Sequence, residues 1–134
     1  MTRLLRRAVL PSSLGLVLGC GGARVPASMR GYEILVERRD PQSAELARAL
    51  REYGFRIRGA VRGGSRPTAA LIYFTFRAPG PGEREWLHLR LADTRSGVII
   101  GAASVPLDSL GPTPRARAQA AIQALVATPI PSPP

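Results

Sequence analysis

The chain has no lysine: all 19 of its basic residues are arginine. Arginine suits bidentate contact with phosphate and carboxylate, but a GC-rich coding bias produces the same excess along with Ala, Gly and Pro. Either source has one physical consequence. The formal net charge of +10 falls to about +7 without Arg3, Arg6 and Arg7 of the leader, and a field of that sign favours anionic partners.

Cysteine is almost as scarce. Cys20 stands alone, which excludes an intramolecular disulfide and a cysteine metal cage. His88 is the only histidine. A zinc site or hydrolytic triad would need it together with positioned partners. On an alternating strand beside Trp86 and Arg90 it reads as a half-exposed sheet residue. Asp93 and Asp108 sit beside turn signals, and no carboxylate pair stands out for acid–base work. Gly63-Gly64-Ser65 lacks the lysine and following helix of a phosphate loop. No internal repeat is present. What is there is 134 residues with an ordinary 45% apolar content, enough for one domain with a core and unlike a chain disordered throughout.

The first residues read as an export leader. Met1 to Arg7 is basic, and Ala8 to Leu18 is an apolar stretch interrupted by Pro11-Ser12-Ser13. It has the length of a signal core and is too short to span a bilayer. Val17-Leu18-Gly19-Cys20 follows and resembles a bacterial lipobox. That resemblance implies a diacylglycerol thioether on Cys20, cleavage between Gly19 and Cys20, and acylation of the new amine. Several acyl chains give stable anchoring where one gives marginal binding. Two rival readings stand beside it. Val25-Pro26-Ala27 offers an ordinary signal-peptidase cut before Ser28, or Cys20 is a buried apolar residue. Arg6-Arg7-Ala8-Val9-Leu10 also faintly resembles a twin-arginine signal, with Leu5 in place of the usual Ser or Thr. Gly21 follows Cys20 where, in the enterobacterial sorting rule, Asp retains a lipoprotein at the inner membrane. The expected address is the cell envelope, on the outer membrane facing the periplasm.

After a tether at 20–30, residues 31–127 read as a single α+β domain, and 128–134 as a Pro-rich tail. Residues 32–37 alternate as a strand. Asp40-Pro41 then opens a helix, with Asp capping and Pro at the first helical position. Leu46, Leu50 and Tyr53 form its stripe, and Gly54 ends it in a left-handed cap. Strands follow at 55–62, 70–77, 85–93 and 98–105, the last two joined by an Asp93–Gly97 hairpin. Thr113-Pro114 starts a second helix whose stripe is Ala118, Ile122, Leu125 and Val126. The order β-α-β-β-β-β-α predicts a two-layer sandwich. Its sheet is mixed and mostly antiparallel, its first βαβ unit is parallel, and two helices cover one face.

Trp86-Leu-His-Leu-Arg-Leu-Ala-Asp93, Thr-Arg-Ser-Gly97 and Val-Ile-Ile resemble a strand–turn–strand found in small Gram-negative periplasmic lipoprotein domains. These include the N-terminal domain of the Tol-system propeller protein, curli-secretion-like lipoproteins, penicillin-binding-protein activators and auxiliary lipoproteins of ABC-type lipid transporters. The resemblance covers residues 44 to 105. It implies a non-enzymatic role in assembly, transport or partner activation, and it carries over no catalytic residue.

If Phe55, Ile57, Ile72, Phe74, Leu87 and Leu89 face the helices, the opposite sheet face carries Arg56, Arg58, Arg62, Tyr73, Arg77, Trp86, His88 and Arg90. Arg56, Arg58, Tyr73, Trp86 and Arg90 form the expected binding face. Arginine among aromatic rings suits anionic glycans, lipid phosphates or an acidic protein; an ordinary solvated sheet face would look the same. Export excludes nucleic acid as the expected partner. No catalytic, cofactor-binding or metal-binding residue is expected, the only group being covalent lipid on Cys20. A small envelope enzyme acting on glycans or lipids is the alternative.

Overall fold

The computed structural model describes residues 25–60, 64, 66–109 and 111–128. The leader, Cys20, Arg62 and residues 129–134 lie outside them. Five strands form one open sheet: β1 (Glu33–Leu35), β2 (Arg56–Arg58), β3 (Thr68–Arg77), β4 (Glu85–Asp93) and β5 (Ile99–Pro106), in the order β2-β1-β3-β4-β5. β1 pairs in parallel with β2 and β3, while β3, β4 and β5 form an antiparallel meander. Helices α1 (Pro41–Glu52) and α2 (Pro114–Ala127) pack on each other and on the same side of this sheet. The fold is therefore the expected two-layer α+β arrangement.

Local chemistry explains why α1 begins and ends where it does. The Asp40 carboxylate accepts the Ser43 amide at 2.7 Å, and Ser43 Oγ accepts the Asp40 amide at 3.1 Å. This reciprocal box satisfies two amides that a helix start leaves free. At the other end Gly54 takes φ 98°. Its amide donates to Arg51, and that of Phe55 donates to Leu50 at 3.0 Å, a Schellman closure that a side chain at residue 54 would strain. At the start of α2, Thr113 accepts the Ala116 amide at 3.2 Å. Arg115 then ties the helices together, reaching Glu52 at 3.0 Å and Glu45 at 3.5 Å.

The core lies between the helices and one sheet face. Leu46, Leu50, Ile122 and Leu125 from the helices meet Ile34, Leu87, Leu89 and Leu91 from the strands, all fully or almost fully buried. Residues 25–30 correct the expected tether. Val25 and Met29 are buried, and Ala27–Met29 forms a short 3-10 helix. Gly101 of β5 leaves the space that the Met29 side chain occupies, since a Cβ there would meet Met29 Cε at 2.6 Å. Val25 and Met29 thus belong to the folded body, as members of its buried core.

The face assignment of β3 is also corrected. Ile72, Phe74 and Phe76 were expected to face the helices, yet they are 46%, 42% and 54% exposed. Leu71 and Tyr73 pack against the core instead. The cause is register. Leu71, Tyr73 and Thr75 lie opposite Leu91, Leu89 and Leu87, and paired residues share a face. β4 has one unambiguous apolar row, so it dictates the orientation of a β3 that is apolar on both sides.

Replacing Leu50 with Asp places an unpaired charge in this core. We expect Leu50→Asp to lose about 4 kcal/mol of stability, read as a shifted urea midpoint. A shift of less than about 1 kcal/mol would contradict the packing.

Candidate functional site

The sheet side away from the helices carries the candidate site. Strand pairing sets its geometry: Ile72 beside Arg90, Phe74 beside His88, and Phe76 beside Trp86. Across β4, Arg90 lies beside Ala102, His88 beside Ser104, and Trp86 beside Pro106. The Phe74 and His88 rings stack with centroids 4.9 Å apart at 22°, within the range of offset aromatic pairs. His88 Nδ1 lies 2.7 Å from Ser104 Oγ, which locks the ring against rotation. None of these register neighbours of His88 is a carboxylate. Three large apolar side chains of one row and a half-buried Trp86 thus lie on a face that no described helix covers. Contiguous apolar surface of that kind marks an interaction site far better than single exposed residues do.

The five residues expected to form the binding face do not all meet. Trp86 and Arg90 lie on this face as expected. Tyr73 does not: it points to the helix side, where its hydroxyl donates to Asp40 Oδ2 at 2.8 Å. Arg77 shares that side by alternation and pairs with Glu85 at 3.2 Å. Arg56 and Arg58 occupy the far β2 edge. Arg58 is held by Glu33 at 2.9 Å with only 22% of its side chain exposed. A Cβ on Gly64 would lie 3.4 Å from its guanidinium, so Gly64 packs beside it. Three strand spacings separate β2 from β4, about 14 Å, and Trp86 lies further up the sheet still. The face therefore divides into an ion-paired corner on β1 and β2 and an aromatic field on β3 and β4, bordered by the small residues of β5. Sequence reasoning missed Ile72, Phe74 and Phe76 as surface residues. Their signal was available in β3, which is apolar on both faces when one suffices for the core.

Two carboxylates organise the rims. Asp40 titrates below the ordinary carboxylate range, chiefly because the Ser43 amide bonds its ionised form and then because Tyr73 does. Burial, followed by the bond to Asp40, pushes the Tyr73 phenol up. Asp93 is likewise lowered, first by the Tyr32 hydroxyl at 2.8 Å and then by the amides of Arg95 and Ser96. It is a turn-builder, as its position predicted: Gly97 at φ 73° donates back to the Asp93 carbonyl at 2.8 Å. Asp108 pairs with Arg84 at 3.3 Å. Among the described residues, no group of three His, Cys, Asp or Glu could hold a metal, and no helix is long and apolar enough to cross a membrane.

Compared with known proteins, the chain matches no family model, no curated protein and no solved structure.

The two lowered aspartates have a measurable consequence. A carboxyl group with a folded pKa below its unfolded one stabilises the fold fully above the unfolded value, and that contribution is lost as pH falls through the folded value. Stability should therefore decline from about pH 5 downward. Tyr73→Phe removes one cause of the Asp40 shift, so the acid slope should become shallower. Because Asp40 is exposed, the loss near neutrality should be at most about 1 kcal/mol. Urea midpoints measured across the acid range check both statements. An identical slope in the variant would show that the Tyr73 bond does not form in solution.

Proposed function

We propose that the chain is a lipid-anchored, non-enzymatic binding protein of the cell envelope. Its docking surface is the aromatic field of β3 and β4, and its role is assembly or transport support. The observation that carries this reading is the exposed row Ile72, Phe74 and Phe76 beside Trp86, His88 and Arg90 on an uncovered sheet face. Flat aromatic rings stack on sugar rings and on apolar protein surface, while Arg90 supplies a fixed positive charge for a carboxylate or phosphate. The class of partner is an envelope protein, or an anionic glycan or lipid.

The anchor belongs to the same proposal. The succession of a basic stretch, an apolar stretch and Gly19-Cys20 supports lipidation of Cys20, with the domain held at the outer membrane and facing the periplasm. The buried Val25 and the 3-10 helix at Ala27–Met29 favour that cut over the rival one before Ser28, which would remove Val25 from the core. The resemblance of residues 44 to 105 to periplasmic lipoprotein domains supports the same class.

Two measurements test the proposal. The mature protein from its host should have the mass of a chain beginning at acylated Cys20; a chain beginning at unmodified Ser28 would remove the anchor. A photoreactive residue at position 86 should crosslink a foreign envelope component, while one at Arg51 on the outer side of α1 should not. Equal recovery from both positions, or none from position 86, would return the face to plain solvated sheet.

A further inference from the structure

The described residues expose four large apolar side chains: Ile72, Phe74, Phe76 and Val98. The first three form the row on β3, with Trp86 of β4 beside Phe76. Val98 precedes β5, and none of the four lies on α1 or α2. The apolar side of the molecule is therefore the open side of its sheet.

The charges divide in the same way. The chain has nine carboxylates, and all of them belong to described residues. Glu45 and Glu52 lie on α1, and Asp40 caps it. Glu85 and Asp93 alternate with Leu87, Leu89 and Leu91 and so take the core side of β4, where Arg77 and Tyr32 hold them. Glu37, Glu83 and Asp108 lie in connections, with Arg39 on Glu37 and Arg84 on Asp108. Only Glu33 has a strand position on the open side, since the neighbouring Ile34 is fully buried. Arg58 neutralises it at 2.9 Å. Arg90 is exposed on that side and is held by no carboxylate. The open face thus offers rings and a free cation to an anionic surface, with no free strand carboxylate to repel it.

Proximity to such a surface rests on the anchor of the proposed function. The chain between Cys20 and Val25 reaches at most about 17 Å even when fully extended. Val25 is buried on the core side of the sheet with Met29 and Phe55. A sheet layer is about 10 Å thick, so a lipid on Cys20 can enter a membrane on which the open face lies flat. The helix side has no exposed large apolar residue and carries Glu45 and Glu52.

We propose that the aromatic field docks on the membrane that anchors the chain, an anionic phospholipid bilayer. Phe74, Phe76 and Trp86 enter its headgroup layer and Arg90 meets phosphate. Aromatic and apolar side chains flanked by arginine bind the boundary between headgroups and acyl chains in this way. Three partly exposed side chains are too little for a stable protein complex, which buries ~800 Å² on each partner. A bilayer demands no such area or shape match, because the anchor supplies the affinity and keeps the face at a high local concentration. The contact orients the domain, turning the outer sides of α1 and α2 away from the membrane.

Trp86 is the chain's only tryptophan, so its emission reads the contact directly. The mature protein, as its host makes it, is reconstituted in vesicles of phosphatidylethanolamine and phosphatidylglycerol in equal parts. Brominating the acyl chains near the headgroup should remove most of the Trp86 emission. Trp86→Phe combined with Arg51→Trp moves the indole to the outer side of α1, where bromine should leave it bright. Phe74→Ser with Phe76→Ser should keep the circular-dichroism melt and reduce the quenching of Trp86 several-fold. If the serines disturb the melt, Arg90→Glu replaces them and should also reduce the quenching, by like-charge repulsion from phosphate. The mass of the same sample reports the anchor separately. Acylated protein whose Trp86 stays bright, equal quenching at positions 86 and 51, or undiminished quenching in the folded variants would overturn the membrane contact while leaving the anchor standing. With Cys20 unmodified the anchor fails, and the unacylated protein mixed with the same vesicles still decides the contact: quenching of Trp86 upholds it and its absence overturns it. A photoreactive residue at position 86 that labels a protein of the envelope rather than phospholipid would also overturn it.

Discussion

The ladder between β3 and β4 is the constraint on which the rest of the molecule depends. It is the longest pairing in the sheet, running from Ala69 opposite Asp93 to Arg77 opposite Glu85. Because side chains alternate with period two, this register leaves no freedom in which side chains are buried. Once Leu87, Leu89 and Leu91 turn towards the helices, Leu71 and Tyr73 must follow. Ile72, Phe74 and Phe76 are then committed to solvent, although they are at least as apolar as the residues that replace them inside. A chain selected only for a stable core would place polar residues at those three positions. Their exposure as one row is the physical argument for the proposed docking surface.

Asp40 connects that ladder to the helical layer. Its carboxylate caps α1 through Ser43 and accepts the Tyr73 hydroxyl from β3. Burying the Tyr73 ring without a partner for its hydroxyl would cost the desolvation of that group. The cap therefore does double service: it starts the helix and makes the inward orientation of Tyr73 tolerable. The segment that delivers Asp40 must leave β3 to reach the helix layer, and this is why β1 stops at Leu35. The short β1 and the stretch of β3 beyond Ala70 that no described strand flanks on that side have one cause.

Much of the architecture was legible in the chain. Asp40-Pro41, Gly54, Thr113-Pro114 and Asp93–Gly97 are local signals whose chemistry acts within a few residues, and each sits where the structure uses it. The apolar stripes of the helices were equally plain, since Leu46, Leu50, Ile122 and Leu125 are all fully buried. What failed was non-local. β3 is apolar on both faces, so periodicity alone could not orient it, and only its pairing with β4 does. The Glu33–Arg58 pair joins neighbouring parallel strands across a helical crossover, a proximity that composition does not reveal. Val25 and Met29 were hidden among Gly, Pro and Ser, residues that resemble a tether until a cavity above Gly101 is there to receive the methionine.

These corrections change the character of the surface more than its location. An arginine-rich face would draw anionic ligands at long range and lose them in salt. Of the arginines concerned, Arg58 is committed to Glu33 and Arg77 to Glu85. What remains on the open face is a row of flat rings, Phe74, Phe76, Trp86 and His88, with Arg90 at one end of it and His88 between Phe74 and Ser104. Such a surface gains its affinity from desolvation and shape rather than from net charge. Its selectivity must then come from how many rings a partner can cover at once. The sheet offers rings on two neighbouring strands, β3 and β4.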